Sequence, residues 1–402
     1  ATNRSFRLAW GKSARPSAPA DPVRVRRGSR PALRTGDIAL GPADGAILRI
    51  ADRCDLDLIL VTGRGERCRA AVRAAAVESA GPIRGTIVLC GDFVQPGGKR
   101  VFGFRLRASL FAGLSRVKIE PFLLIDADRG MMQHIRELRL DVRPLSPLGE
   151  VRLGTDRSAP VVLSAGSKPA RLFQVDDRSF AVEGGPRSVA GGRAPGWAEF
   201  TSAGGRTAIC LKEFWQQWPK SIECRPEGLA VGLLPRFRKN AFAHMQPWYK
   251  YHYLFKGSCY QLRTGQARRW EVWLDLAESG DALARAANAP LVPIADPAQA
   301  LATGAWGPVQ PAGAPGMRDY DAWAERMFAA YAQYLDADRN YGAMNWGDWF
   351  GERHVNWGNH EYDTPASLLM QFARTGDPKY FRLGDAAARH TSEVDVVHFL
   401  NR

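Results

Sequence analysis

The sequence predicts a multidomain α+β protein: two antiparallel β-rich, sandwich-like domains followed by the start of an (α/α) toroid that reads as truncated. Three observations predict it. Segments between Ala46 and Leu276 alternate apolar and polar residues with period two and are separated by Gly, Pro and Asp turns. From Asp281 the apolar spacing changes to that of helices. The last helical segments are joined by short turns, so they must lie antiparallel, as in stacked helical hairpins. The implied organisation is an irregular segment at 1–45, β-rich domains at 46–147 and 148–280, a linker at 281–316, and toroid helices at 317–402.

Ala1 to Gly45 is rich in Arg, Pro and Ser, and SARPSAPADP at 13–22 reads as an exposed loop. Leu56–Val61, Arg84–Leu89, Val101–Leu110, Val117–Asp126 and Ile135–Val142 read as strands. Ala71–Ala76 suits a helix by propensity, but its strand neighbours favour a strand. Pro144 and Pro147 mark a boundary. Arg171–Val175 and Ser179–Val182 flank a turn and form a hairpin. Thr207–Trp215, Ser221–Cys224, Leu229–Leu234 and Trp270–Leu276 complete the second block.

Asp281–Ala289 is a short helix stopped by Pro290. Arg318–Leu335 is a longer one, with Tyr320, Trp323, Met327, Tyr331 and Tyr334 forming an aromatic stripe that reads as core. Thr364 is the N-cap expected before Pro365, and Asp377 the cap before Pro378, with Gly376 between the two helices.

The net charge of +14 comes from 55 Lys and Arg against 41 Asp and Glu. The basic residues are spread thinly apart from Arg24, Arg26, Arg27, Arg30 and Arg34, with no aromatic interleaving, so a nucleic-acid groove is not indicated. An acidic polysaccharide or oligosaccharide fits the charge better. No apolar run reaches the roughly 18 residues of a membrane span. The six cysteines (Cys54, Cys68, Cys90, Cys210, Cys224, Cys259) form no CxxC and have no His at ligand spacing. Cys210 and Cys224 are placed to face each other across a hairpin, and the redox compartment stays open. No metal and no cofactor is read from the sequence. The start at Ala1 without Met and the end at Arg402 without a cap predict a piece of a longer protein.

Two stretches carry the chemistry. Phe214, Trp215 and Trp218, then His244, Trp248, Tyr249, Lys250, Tyr251, His252 and Tyr253, are aromatics with nearby cations; packing of a sheet face is the favoured reading. Tyr341–Asp363, YGAMNWGDWFGERHVNWGNHEYD, holds three Trp, three Asn, two His, two Glu, two Asp and one Arg in 23 residues, with four glycines interrupting any regular element. A polar, aromatic, Gly-punctuated loop ahead of helices is where binding and catalysis concentrate.

That stretch with Thr364-Pro365, followed by TGDPKYFRLGDAAARHTSEVDVVH, resembles the exo-rhamnogalacturonan lyase family of polysaccharide lyases. The resemblance is close over Tyr341–His398 and loose over Ala46–Leu276. It implies β-sandwich domains ahead of an α/α toroid, and β-elimination at the uronate of a rhamnose–uronate polysaccharide. A secreted or periplasmic location follows from that substrate class.

A uronate lyase must neutralise a carboxylate, remove the carbon-5 proton and protonate the leaving oxygen. Arg353 suits the carboxylate. His360 is the first candidate base and His354 the second, and Tyr362 is the candidate acid. Asn345, Asp348, Asn356, Asn359 and Glu361 are candidate polar contacts with substrate. Trp346, Trp349 and Trp357 offer stacking faces, although each suits a core anchor equally well. His398 follows Asp395 at a spacing of three and joins the substrate-binding candidates. For His390, a helix-terminal position is the favoured reading. Asp348 and Glu352 also suit structural pairing with Arg353. A toroid glycoside hydrolase using two of Asp348, Glu352, Glu361 and Asp363 is the rival enzyme, and a non-catalytic carbohydrate-binding protein is the third reading.

Overall fold

The computed structural model describes residues 18–157, 159–164, 166–185, 188–245, 251, 253–351 and 356–400. Its dominant feature is a hydrogen-bonded network of 23 strands, in which every neighbouring pair described runs antiparallel. Strand alternation follows from the sequence, as in Arg100–Phe111, where Arg105 and Arg107 lie on the more open face and Phe102, Phe104, Leu106, Ala108 and Leu110 are buried.

The two expected β-rich blocks are stitched together rather than stacked as separate sandwiches. Met132–Pro144 pairs with Cys54–Thr62 on one side and with Gly228–Leu234 and Cys259–Arg263 on the other. Arg116–Leu124 similarly bridges Arg100–Phe111 to Ala267–Arg269 and Val272–Asp275. One hydrophobic cluster runs through both blocks, from Val23 to Met344. Local periodicity specifies a strand and its buried face, but not a partner more than a hundred residues away, so this joining is invisible to it. The stretch read as irregular contributes Arg24–Arg26, Ala32–Thr35 and Ile38–Ala43 to the same network. Ala71–Ala76 lies inside the strand Arg67–Ala80. All six cysteines are free, and Cys210 and Cys224 lie on strands that are not paired with each other.

The helical region opens with α1 (Gly280–Asn288), capped by the Ser279 hydroxyl, which accepts from the Ala282 amide at 3.3 Å. Leu283, Ala284 and Ala287 pack it on Trp197 and Cys210 of the sheet. α2 (Pro297–Ala302) follows, capped by Asp296. α3 (Arg318–Ala337), α4 (Thr364–Thr375) and α5 (Pro378–His390) are the longer helices. Among the described residues, no helix is long and apolar enough to cross a membrane.

α3 keeps the expected stripe packed at its C-terminal end, where Tyr331 and Tyr334 are half-buried and the Tyr334 hydroxyl donates to the Phe350 carbonyl at 2.9 Å, but departs from it over the first turns. Tyr320, Trp323 and Met327 are exposed, while Ala324 and Leu335 are buried and Phe328 packs on Tyr380 of α5 at 4.5 Å. Residues 324, 328, 331 and 335 have the same helical spacing as the aromatic stripe, so periodicity alone could not choose between the two faces. Ion pairs help fix the choice: Arg374 of α4 holds Asp321 at 2.6 Å, and Lys379 of α5 holds Glu325 at 2.7 Å. At the cap of α4 stands Asp363, in a left-handed conformation without a side-chain cap bond, one residue ahead of the expected Thr364. Asp377 caps α5 as expected, accepting from the Lys379 amide at 3.0 Å and contributing about 1 kcal/mol.

Asp275 ties the sheet to the helices. It is fully buried and accepts from Ser115 Oγ at 2.6 Å, Arg116 Nε at 2.9 Å, and the amides of Ala277 and Glu278 at 2.9 and 3.0 Å. Burial alone raises its pKa, but the Glu278 amide, Ser115, the Ala277 amide and Arg116 outweigh it and hold the carboxyl below its usual range. A depressed folded pKa means stability that is full above the unfolded value of about 3.9 and lost as pH falls through the folded one. Asp275→Ala should therefore cost about 3–5 kcal/mol at pH 7. Denaturant unfolding of both proteins should show the gap narrowing only under strongly acidic conditions.

Candidate functional site

The loop at 341–363 is held to the sheet by backbone bonds. The amides of Gly342 and Ala343 donate to the carbonyls of Gln216 and Trp218 at 2.8 and 2.7 Å. Tyr341 packs between Trp215 and Trp346, at 5.0 and 5.3 Å between ring centroids. Two turns follow, in which the Trp346 amide donates to Gly342 and the Asp348 amide to Asn345.

Gly347 sits at φ +107°, and a Cβ there would lie 2.3 Å from the Ala386 carbonyl and 2.8 Å from His390 Cβ. Only glycine lets this backbone rest on the last turns of α5. Gly347→Ala should destabilise the fold by about 2–4 kcal/mol, combining left-handed strain with overpacking. Urea titration followed by far-ultraviolet circular dichroism would measure this; an unchanged midpoint would refute the close approach.

That approach brings Asp348 to His390. Asp348 is fully buried; its Oδ1 accepts from the Trp349 amide at 2.8 Å and its Oδ2 from the Asn359 amide at 3.1 Å. The carboxylate thus clasps the two ends of a small hairpin. Within it, Gly358 donates to the Trp349 carbonyl at 2.8 Å, Gly351 donates to that of Asn356 at 2.5 Å, and Phe350 bridges Trp357. Asn359 and His360 then both take left-handed conformations, at φ 46° and 52°, which turn the His360 ring inward.

Four side chains meet beneath the loop. His360 Nε2 lies 3.8 Å from Asp348 Oδ1. His390 Nε2, at the end of α5, lies 3.8 Å from Asp348 Oδ2 and 3.3 Å from Asp395 Oδ1. The two imidazoles meet edge to face at 5.7 Å. Asp395 comes from a single π-helical turn, Thr391–Asp395, pinned to the sheet where Glu393 holds Arg269 at 3.2 Å. Burial, reinforced by His390 and opposed by Asp395, pushes His360 down to about 4, so its imidazole is neutral at neutral pH. Burial raises the Asp348 carboxyl, partly offset by His390 and the Trp349 and Asn359 amides. The Tyr331 hydroxyl of α3 is raised by burial and by the charge of Asp348.

The remaining sequence candidates divide by exposure. Asn345 is buried and Trp346 half-buried against Tyr341. Trp349 and Tyr362 stack at 6.3 Å with ring planes 21° apart, and Tyr362 is 68% exposed. Asn356, Asn359 and Glu361 stand exposed on the same loop, while Trp357 packs edge-on against Phe350. Arg353, His354 and Glu352 lie outside the described residues, as do Trp248, Tyr249, Lys250 and His252. His398 is not brought to the cluster: it is exposed, packs on Phe122 at 5.9 Å, and its amide bonds the Gly265 carbonyl. Asp395 faces His390 instead, because the π turn rotates it back toward α5. In the aromatic patch, Phe214, Trp218 and Tyr251 are core, and His244 pairs with Asp176 at 2.7 Å.

His390 and Asp395 are the residues that sequence reasoning did not place in the site. A His closing the AAARH end of a helix, with an Asp five residues on, was the available signal.

Residues 291–401 match the family model of the PcRGLX-like protein C-terminal alpha/alpha toroid domain, a domain related to rhamnogalacturonan lyase. No curated protein matches the chain. Among solved structures, the chain is similar to a galactose mutarotase related enzyme from Lactobacillus acidophilus, at 9% identity and a TM-score of 0.30, over 64% of this chain and 98% of that one. It is also similar to the Slr1438 protein from Synechocystis sp. PCC 6803, at 7% identity and a TM-score of 0.31, over 67% and 99%. Likenesses this distant carry no argument about activity.

Proposed function

We propose that this chain carries the substrate loop of a carbohydrate-active enzyme, a polysaccharide lyase that cleaves a rhamnose–uronate polysaccharide such as rhamnogalacturonan by β-elimination. The observation that carries the reading is the ledge formed by half-buried Trp349 with exposed Tyr362, Asn356, Asn359 and Glu361, on the loop that also carries the buried Asp348 and His360, inside the segment matched by the toroid-domain model. Flat aromatic faces beside amides suit sugar rings, which present apolar C–H faces edged by hydroxyls.

In the reaction, a base takes the carbon-5 proton and those electrons form the carbon-4–carbon-5 double bond. The bond from carbon-4 to the bridging oxygen breaks, and that oxygen takes a proton from an acid. Tyr362, on the open side of the ledge, is assigned to the leaving oxygen. His360 keeps the base assignment only on residue type: its imidazole is neutral but buried against Asp348, so the loop must open before the ring meets a carbon-5 proton. Arg353 is assigned to the uronate carboxylate. Hydrolysis would instead need two carboxyl groups flanking one bond. Asp348 suits that poorly, being fully buried and committed to two backbone amides.

Incubation with rhamnogalacturonan should generate the ultraviolet absorbance of an unsaturated uronate. Tyr362→Phe should lower kcat by about 10²- to 10⁴-fold, and Trp349→Ala should raise KM about 2- to 10-fold. New reducing ends without that absorbance would establish hydrolysis and sink the lyase reading.

A further inference from the structure

We propose that Asp348, His390 and Asp395 bind one divalent transition-metal ion. Their candidate ligand atoms lie within 4.8 Å of one another. His390 Nε2 is 3.3 Å from Asp395 Oδ1 and 3.8 Å from Asp348 Oδ2. Ligands about 2.0–2.1 Å from a tetrahedral ion stand roughly 3.3–3.4 Å apart. The 3.3 Å spacing matches that and the 3.8 Å spacing is wider, and both are longer than the roughly 2.7–2.9 Å of a charge-assisted hydrogen bond.

The burial calls for a cation. Asp348 is fully buried, His390 is 3% exposed and the Asp395 side chain 14%. Among the described residues, neither carboxylate forms an ion pair with Lys or Arg. The nearby Arg389 is turned to Asp385 and Glu271, and Arg268 and Arg269 to Glu393. One buried and one half-buried carboxylate facing one imidazole leave negative charge uncompensated, which is costly without a counter-ion. One atom of the cluster points the same way: Asp395 Oδ2 has no hydrogen-bond partner among the described residues. His360 flanks the site, its Nε2 directed at Asp348.

The donor set defines the class of ion. Imidazole nitrogen with carboxylate oxygen and no thiolate suits zinc, manganese or iron; calcium and magnesium favour oxygen-only shells. The backbone amides of Trp349 and Asn359 hold the Asp348 carboxylate in place, as outer partners of metal ligands do. The ligands come from the loop, the end of α5 and the π turn, so the ion would fasten the three together. This does not depend on the lyase reading.

The test is calorimetric titration of the chelator-treated full chain with zinc and manganese, and with calcium for comparison. The expected result is one equivalent of a transition ion per chain, with binding weakened at least about 10- to 100-fold in His390→Gln and in Asp395→Asn. His134→Gln, on a distant strand, should bind as the parent does. Where circular dichroism shows His390→Gln unfolded, the more accessible Asp395→Asn decides. The proposal is overturned by binding that is undiminished in Asp395→Asn, by calcium binding more tightly than zinc and manganese, or by no transition-ion uptake in the parent protein.

Discussion

The site depends on one carboxylate taken out of water. Asp348 has no exposed surface, and its desolvation must be balanced by what surrounds it. Two backbone amides provide part of that balance, and in doing so they fix the loop: the Trp349 amide sets the turn that follows Asp348, and the Asn359 amide returns the chain beneath it. The imidazoles of His360 and His390 occupy the remaining directions. Removing the carboxylate would leave two buried amides without acceptors and two rings without a common neighbour, so its loss would be felt by the loop and by α5 together.

Such a carboxylate is useful only if both sides of the cluster are held at a fixed distance, and the sheet does this twice. On one side, the carbonyls of Gln216 and Trp218 fix the start of the loop. On the other, Glu393 accepts from the Arg269 amide at 3.0 Å and pairs with its guanidinium, fixing the turn that carries Asp395. Both anchors lie on segments of the second β-rich block, which is itself pinned to the first through Met132–Pro144 and Arg116–Leu124. Carrying both anchors on one block serves the site, because a hinge between them would let the cluster open.

What the sequence reveals follows from how local each signal is. The alternation in Val101–Leu110, the hairpin around Asp177 and the Asp377 cap are set by neighbours within a few residues, and each is present. The Tyr341–Asp363 loop stood out because no hydrophobic period could account for it. Three features needed tertiary information: which strands join the blocks, which face of α3 is buried, and the arrival of His390 and Asp395 beside Asp348. For α3, two stripes share one helical spacing, and the packing of Phe328 on Tyr380 together with the Arg374–Asp321 and Lys379–Glu325 pairs separates them. For His390, position at a helix end was equally consistent with a surface role, and the approach permitted by Gly347 decided otherwise.

The division of the loop into an exposed rim and a buried floor also bears on how its chemistry can be separated experimentally. Tyr362 is exposed and stacks on half-buried Trp349, so a change at Tyr362 alters what touches a ligand while removing little packing. Asp348, His360 and His390 lie in the interior, where any change alters both stability and the electrostatics of the neighbouring groups. A loss of activity on the floor is therefore ambiguous by itself, whereas a loss on the rim with an unchanged unfolding midpoint is not. Tyr362, 68% exposed and adjacent to the left-handed turn that buries His360, is where the two layers meet. Its hydroxyl can be removed without opening a cavity, so its effect reports on proton transfer rather than on folding.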